Sequence, residues 1–438
     1  VAGQYPLDPQ TVTAAGVALG EWVRARHSGH PAILIGIDTR ESGAGLAAQL
    51  AGGAARAGVR PCFAGLITTP GVAHLAKTGD FAAGVMISAS HNPYQDNGVK
   101  VFDHSGFKLP DEEELALEQR IFALTDTELE PQPARLDVNP GLAQSYLDFL
   151  ASTFPHRLDG LRLVLDCANG AATHLARDLF ARLGADVIAI GSRPDGRNIN
   201  LNCGALHTDG LRQAVLDSAA QAGVAFDGDA DRAILVSSSG RIINGDAILL
   251  ILAGKLLSDS RLADRNGQPA VVATVMSNFG LEVALKDKGI RLLRTAVGDK
   301  YVLEEMLRCG VPLGGEQSGH VILTDYATTG DGMLTALRVL EVMKQSGQPL
   351  DSLAAGLQVF PQLLVNVRVK KKRPLEELAS VQNEIGAAMA EFNGAGRVVV
   401  RFSGTEPLAR VMVEGPVPER VEHYAYSIAR SIEAELSA

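Results

Sequence analysis

The sequence predicts an α/β protein in which three related α/β units with parallel or mixed sheets are followed by one smaller α+β unit. Three observations carry this. The chain has 438 residues, which at about 150 residues per domain means roughly three domains, with two to four reasonable. Buried-strand and helix patterns alternate in a β-α-β manner through most of it. Beyond Pro361 the alternation gives way to strand, helix, two strands and a helix. The units implied are residues 1–141, 142–244, 245–358 and 359–438.

In chain order, Thr11 to Arg26 carries apolar residues at helical spacing, and Pro31–Ile37 is a buried strand. Ser42 opens a small-residue helix through Ala57. Its Gly43-Ala44-Gly45-Leu46-Ala47-Ala48 loosely matches a dinucleotide fingerprint, but the residues about 20 positions on, around Cys62, are neutral where an acidic one is needed. Strands at Arg60–Ala64 and Ala82–Ile87 flank a Thr-Thr-Pro-Gly turn and a short helix. An acidic helix, Asp111–Leu124, and Pro131-Gln132-Pro133 close the first unit, and a linking helix (Leu142–Leu150) leads into the second. There the order is strand Leu161–Asp166, helix Ala171–Leu183, strand Asp186–Ile190, helix Leu211–Gln221 and strand Val224–Phe226. The third unit begins with the helix after Asn244-Gly245-Asp246. Strand Ala270–Val275, helix Leu281–Lys288, strand Ile290–Thr295, helix Lys300–Arg308 and a long helix, Asp331–Lys344, follow. The last unit has strand Leu363–Val369, helix Pro374–Phe392, strands Arg397–Phe402 and Leu408–Glu414, and a helix from Val417.

Composition narrows the class. Hydrophobic residues are 46% and charged residues 21%, ordinary for a globular protein. A net charge of −10 with no Lys/Arg stripe argues against a nucleic-acid surface. The one basic cluster, Lys370-Lys371-Lys372-Arg373, reads as a solvated strand end. Cys62, Cys167, Cys203 and Cys309 are widely spaced, as expected of reduced thiols rather than a disulfide or zinc framework. No apolar run approaches the roughly 18 residues of a membrane span, and no signal-peptide pattern is present. The expectation is a cytoplasmic enzyme with no membrane partner.

Four polar loops carry the candidate chemistry. The strand ending at Ile87 runs into Ser88-Ala89-Ser90-His91-Asn92-Pro93, with Lys100 ten residues after Ser90. Such a cluster is also ordinary turn composition, so its meaning depends on the other three loops. Asp227, Asp229 and Asp231 alternate at a strand end. Converging carboxylates repel unless a hard cation neutralises them, so an oxygen-ligated metal site is expected, a structural acidic turn being the alternative. An EF-hand fails, because Arg232 stands at its sixth position and Ser238 at its twelfth. Magnesium is favoured over zinc, since no His or Cys lies close in sequence. A tri-carboxylate site leaves open positions for a phosphate oxygen, and Ser90 is the candidate to carry it and to join the metal site. No GxSxG elbow and no GxxxxGK[ST] loop is present. Phosphoryl movement between the protein and a small molecule is therefore the expected chemistry. Lys100 is a candidate acid/base or charge partner, which as a base needs a lowered pKa. His91 is either a turn former or a catalytic group. Arg401, Ser403, Gly404 and Thr405 form a phosphate-wrapping loop, or else a simple hairpin turn. Glu316 and Ser318 suit sugar hydroxyls, with His320 near the reacting oxygen. Arg232 and Arg410 complete the candidate substrate contacts.

Together and in this order the four loops resemble the α-D-phosphohexomutase superfamily, over nearly the whole chain. The resemblance implies four domains around a central cleft and a serine at position 90 that is phosphorylated in the active enzyme. It implies Mg²⁺ on Asp227, Asp229 and Asp231, a sugar loop at Glu316–His320 and a phosphate loop at Arg401–Thr405. Ser403-Gly404-Thr405-Glu406-Pro407, Arg410–Glu414, Asn198-Ile199-Asn200, Cys203-Gly204, His207, Val297–Val302 and Thr328–Gly332 look like the branch acting on glucosamine phosphates. The implied reaction interconverts glucosamine 6-phosphate and glucosamine 1-phosphate through a glucosamine or glucose 1,6-bisphosphate and supplies amino sugars for cell walls. The mannose and glucose branches, or a catalytically silent phosphosugar-binding protein, are the alternatives. Oligomeric state stays open, with a homodimer one option. Members usually begin with a Thr-Asp-Gly-Ile-Arg-Gly-like segment whose arginine lies near the serine, and this chain starts at Val1, just past its expected place. Ala230 stands where glycine is commoner, and Phe402 where a basic residue is usual.

Overall fold

The structure is a computed structural model that describes residues 1–127, 129–403 and 407–436. Its strands form four sheets. The first contains β1 (Ala32–Ile37), β2 (Arg60–Leu66), β3 (Ala83–Ile87) and β4 (Val99–Asp103) in the order β2-β1-β3-β4. The second contains β5 (Arg162–Asp166), β6 (Asp186–Ile190), β7 (Ala222–Phe226), β8 (Ala233–Ser237) and β9 (Ile242–Ile243) in the order β6-β5-β7-β8-β9. The third contains β10 (Ala270–Thr274), β11 (Arg291–Thr295), β12 (Leu313–Gly315) and β13 (Val321–Leu323) in the order β11-β10-β12-β13. The last, antiparallel, is β14 (Gln362–Arg368), β15 (Arg397–Phe402) and β16 (Leu408–Glu414) in the order β14-β16-β15.

One plan underlies the first three sheets. The first strand lies between two parallel neighbours, and the chain then turns back into an antiparallel strand. The central strands are apolar on both faces, as sheets covered by helices require; β3, β5, β7 and β10 are buried almost throughout. The turn into the antiparallel strand holds residues 88–98 in the first sheet, 227–232 in the second and 316–320 in the third. The serine, aspartate and sugar loops are thus the same connection in three repeats. The phosphate loop joins β15 to β16, again between antiparallel neighbours.

The mixed-sheet units and the smaller final unit match the predicted class. Several short strands were not expected: β4, β8, β9, β12 and β13. Two helices differ as well. The stretch 374–392 is a 3₁₀ turn, Leu375–Glu377, and then a helix, Ala379–Phe392, because fully buried Leu378 takes φ −93°, ψ 90° and interrupts the run. The helix expected over 211–221 spans Asp209–Asp217.

Burial divides the molecule unequally. One apolar cluster runs from Leu34, Met86 and Phe102 through Tyr146 to Leu163 and Phe226, and on to Val271 and Leu337. It ties the first three units together, each fully buried aliphatic or aromatic side chain contributing about 1.5–3 kcal/mol. The last unit has a separate cluster around Val411, Val413, Val421 and Ile428. No helix among the described residues is long and apolar enough to cross a membrane.

Candidate active site

The Ser90 loop leaves β3 with Ser90 itself in the left-handed region, φ 50°, a conformation that costs an L-residue free energy unless its surroundings impose it. They do so on every side. Ser90 N–H donates to Ser88 Oγ at 2.9 Å, and Ser88 Oγ donates to Asp38 Oδ2 at 2.7 Å. Asn200, from the second unit, donates to the carbonyls of Ser90 at 2.9 Å and Asn92 at 3.1 Å. A Cβ on Gly228 would stand 2.4 Å from Ser90 O, so only glycine lets the aspartate loop come this close. Ser90 Oγ donates to Asp227 Oδ2 at 2.6 Å.

The aspartate loop is buried: Asp227 is 1%, Asp229 0% and Asp231 5% exposed. Each offers one oxygen, and the three oxygens lie within 4.8 Å of one another. Lys100, on β4, donates to Asp229 Oδ2 at 2.5 Å and Asp231 Oδ2 at 3.5 Å. Thr69 also donates to Asp229 Oδ2 through its hydroxyl, and to Asp229 O through its backbone N–H at 3.0 Å. Asp229 Oδ1 is buried and accepts no hydrogen bond among the described residues, and Asp231 Oδ1, also buried, has only the more distant His320 Nδ1 at 3.5 Å and Arg232 Nε at 3.8 Å. Burial, then Asp231 and Asp229, push the Asp227 carboxyl well above its usual range. At Asp231 burial acts the same way, but Lys100 and then His320 outweigh it and hold the group well below. Lys100 at bonding distance and Arg232 farther off do not balance three carboxylates, and the buried Oδ1 atoms of Asp229 and Asp231 are the donor type a hard divalent cation takes. The residues fit such an ion.

Lys100 differs from the expectation of a lowered pKa. Burial alone would lower it, yet Asp229 and Asp231 hold it above its ordinary value. His320 is also less free than expected. It is 2% exposed, and its Nε2 accepts the Gly330 N–H at 3.1 Å. That leaves the proton on Nδ1, which lies 3.5 Å from Asp231 Oδ1. Gly330 has no room for a Cβ, which would stand 2.6 Å from the His320 ring. His91, half-buried, has an Nδ1 with no hydrogen-bond partner among the described residues. Burial and then Arg232 keep its pKa below the ordinary value, so it is neutral at pH 7.

The sugar loop is stitched to the aspartate loop. Arg232 and His320 form an antiparallel bridge, and Ala233 N–H donates to Gly319 O at 3.1 Å. Arg232 Nε lies 3.9 Å from Asp227 Oδ2 and 3.8 Å from Asp231 Oδ1. Glu316 Oε1 accepts the Gly298 N–H at 3.2 Å, and Ser318 lies at the tip of the same turn. In the last unit Arg401 and Arg410 are direct cross-strand partners. Burial and then Arg410 lower the Arg401 pKa. Ser403, 3% exposed, follows Arg401. Gly404 and Thr405 lie outside the described residues. Lys372, from the cluster read as a solvated strand end, donates to Ser403 O at 2.6 Å.

The structure therefore brings the Ser90, aspartate and sugar loops into one cleft. It adds Asp38 and Thr69, which the sequence reading did not single out, and gives Ser88 and Asn200, named there only within longer stretches, contacts that hold Ser90. Asp38-Thr39-Arg40 directly after a buried strand was the available signal.

A hydroxyl held against a buried tri-aspartate, with an ammonium beside it and a paired-guanidinium loop in a separate unit, defines a phosphotransferase of the phosphohexomutase class. Comparison with known proteins agrees. Family models described as phosphoglucomutase/phosphomannomutase match in sequence: alpha/beta/alpha domain I at residues 1–128, domain II at 144–240, domain III at 244–360 and the C-terminal domain at 364–431. The phosphoglucosamine mutase of Solibacter usitatus is 59% identical over 436 residues, covering 100% of this chain and 97% of that protein. That of Koribacter versatilis is 48% identical, covering 99% and 94%. Among solved structures, a phosphoglucomutase/phosphomannomutase family protein from Burkholderia thailandensis superposes with a TM-score of 0.80 at 25% identity, covering 99% of this chain and 95% of that one. The Aspergillus fumigatus N-acetylphosphoglucosamine mutase, in complex with GlcNAc-6P and magnesium, has the same fold at a TM-score of 0.61 and 21% identity, covering 84% and 92%. The chain belongs to the phosphoglucomutase/phosphomannomutase family.

Proposed function

We propose that this enzyme interconverts glucosamine 6-phosphate and glucosamine 1-phosphate, with Ser90 as the phosphoryl carrier. The observation that carries the reading is Ser90 Oγ at 2.6 Å from Asp227 Oδ2, in a buried group of three aspartates whose oxygens lie within 4.8 Å of one another. Glucosamine is chosen because relatives 59% and 48% identical over essentially the whole chain bear the phosphoglucosamine mutase name.

Phosphorylated Ser90 gives its phosphoryl group to one sugar hydroxyl: the Ser Oγ–P bond breaks and a sugar O–P bond forms, giving the 1,6-bisphosphate. The sugar turns over, its other O–P bond breaks as the Ser90 Oγ–P bond re-forms, and the proton taken in the first transfer returns to the sugar oxygen that is freed. Asp227, Asp229 and Asp231 would hold Mg²⁺, which supplies positive charge against the transferring group when bound. Lys100, bonded to Asp229 and Asp231, is placed to offset developing negative charge. His91, neutral and with Nδ1 unpartnered, is the better placed of the two histidines to take the sugar hydroxyl's proton. His320 orients Asp231. Arg401, Ser403 and Arg410, together with Gly404 and Thr405, grip the phosphate that is not reacting, and Arg232, Glu316 and Ser318 read the sugar. The chain works in the cytoplasm on phosphosugars, with a bisphosphate as activator.

Coupled assays with glucosamine, glucose and mannose 1-phosphates test the sugar, and a kcat/KM favouring mannose or glucose would reassign it. Phosphopeptide mapping after incubation with a sugar 1,6-bisphosphate tests the carrier. Ser90→Ala is expected to lose both the phosphate and turnover while remaining folded. Turnover in that variant would refute the phosphoserine.

A further inference from the structure

Ser90 can act as a carrier only if its Oγ is aimed in line with the incoming oxygen, and one side chain controls that aim. The Arg40 side chain is fully buried, as is that of Asp38. A guanidinium has five N–H donors in a fixed plane, and here each has an acceptor. Nε donates to Asp38 Oδ2 at 2.9 Å. Nη1 donates to Pro93 O and, at 3.1 Å, to Asp96 O. Nη2 donates to Ser90 O and Asn92 O, each at 2.9 Å. Every partner other than Asp38 is a backbone carbonyl of the serine loop.

The contacts close a circuit around Ser90. Its N–H is held by Ser88 Oγ, Ser88 Oγ by Asp38, Asp38 by Arg40, and Arg40 returns to the Ser90 carbonyl. Both peptide groups of Ser90 are fixed by one buried unit, which accounts for φ 50° at a non-glycine residue. We propose that Arg40 is a positioning residue for phosphoryl transfer: it imposes the left-handed conformation of Ser90 and so aims Oγ, without touching substrate. The inference rests on the reading of Ser90 as carrier. Lysine cannot replace it, because a point charge with three donors cannot span four carbonyls and a carboxylate.

The test uses the full chain, phosphorylated with a sugar 1,6-bisphosphate, in three forms: wild type, Arg40→Lys and Ser88→Ala. Single-turnover transfer to glucosamine 6-phosphate, steady-state kcat and KM, and amide hydrogen exchange over residues 90–98 are measured. Arg40→Lys is expected to lose about 10²-fold in the transfer rate, the cost of misplacing a reacting group by about 1 Å. KM should change by less than about threefold, with faster exchange confined to the loop. Ser88→Ala, which removes one hydroxyl from the circuit, should lose at least about fivefold in the same step, and it decides the matter if Arg40→Lys does not fold. Transfer within about twofold of wild type in a folded variant, or a loss that appears in KM rather than kcat, overturns the inference. A wild-type chain that neither accepts nor transfers phosphate overturns the carrier reading and this inference with it.

Discussion

At the scale of single residues, charge balance and backbone conformation make separable demands. Lys100 is the ammonium that bonds two of the three buried aspartates, Asp229 and Asp231. Removing one partner of a buried ion pair costs roughly 3–5 kcal/mol, and Lys100 is partly reached by solvent, so Lys100→Met should fall toward the lower figure. The loss should be largest without metal. Melting curves in EDTA and in Mg²⁺ are expected to show a greater metal-induced rise for Lys100→Met than for wild type, and an equal rise would mean that lysine and cation do not share the same carboxylates. Ala230 shows effects that cancel. Its φ is 56°, so Ala230→Gly relieves about 1–2 kcal/mol of left-handed strain. It also forfeits a buried methyl, about 0.8 kcal/mol, and gives the unfolded chain about 0.4–1 kcal/mol of added entropy. The net is near zero, and thermal melts of the two proteins should nearly coincide. The departure from glycine at this position is therefore tolerated.

At the scale of elements, long amphipathic helices and buried strands were legible because their periodicity is set by burial on one face. The short strands were not. Leu313–Gly315 has two glycines and Ile242–Ile243 only two residues; each exists through pairing with a neighbouring strand that local propensity cannot reveal. The aspartate loop was legible because three carboxylates in five residues call for a cation. The roles of Arg40 and Asn200 were not, because what they bind in the serine loop is backbone carbonyls dozens of residues away, on which no side chain leaves a mark. One cap makes a pH prediction. Asp331 accepts the Leu334 N–H at 2.9 Å at the start of the helix Gly332–Ser346, and the Tyr146 hydroxyl at 2.6 Å. Burial nevertheless pushes its carboxyl up to about 6. A raised folded-state pKa means that the stabilisation is complete below the unfolded value near 3.8 and is lost as pH rises through about 6. Two pH units correspond to about 3 kcal/mol. Asp331→Asn keeps an acceptor for Leu334 but cannot ionise, so its stability relative to wild type should rise by up to that amount between pH 4 and pH 7 in urea titrations. A constant difference would show that Asp331 does not titrate in this window.

At the scale of the whole molecule, the separate cores set what can move. The first three units share one apolar cluster, whereas the last has its own and, among the described residues, is hydrogen-bonded to the third. Glu414, fully buried, accepts from Asn278 Nδ2 at 3.1 Å and from Arg397 Nε at 3.0 Å. Arg397 also donates to Ser277 O at 2.9 Å, and Asn278 exchanges hydrogen bonds with the Phe360 backbone in the linking segment. A hydrogen-bonded joint opens at lower free energy than a packed apolar core, and in the proposed reaction, where the sugar turns over between two half-reactions, the loop between β15 and β16 would be released and recaptured. Glu414→Gln takes the carboxylate from Arg397 while leaving Arg401 and Arg410 in place, so it should loosen the joint without altering the phosphate contacts. Its KM for phosphosugar is expected to rise about tenfold, with kcat changed in step and a larger radius of gyration by small-angle X-ray scattering. Arg401→Ala should raise KM at least as much with the radius unchanged, since it removes a phosphate contact and leaves the joint intact. If the two variants gave the same radius, the polar joint would not control where the last unit sits, and the mobility of the phosphate loop would have to arise within the β15–β16 turn itself.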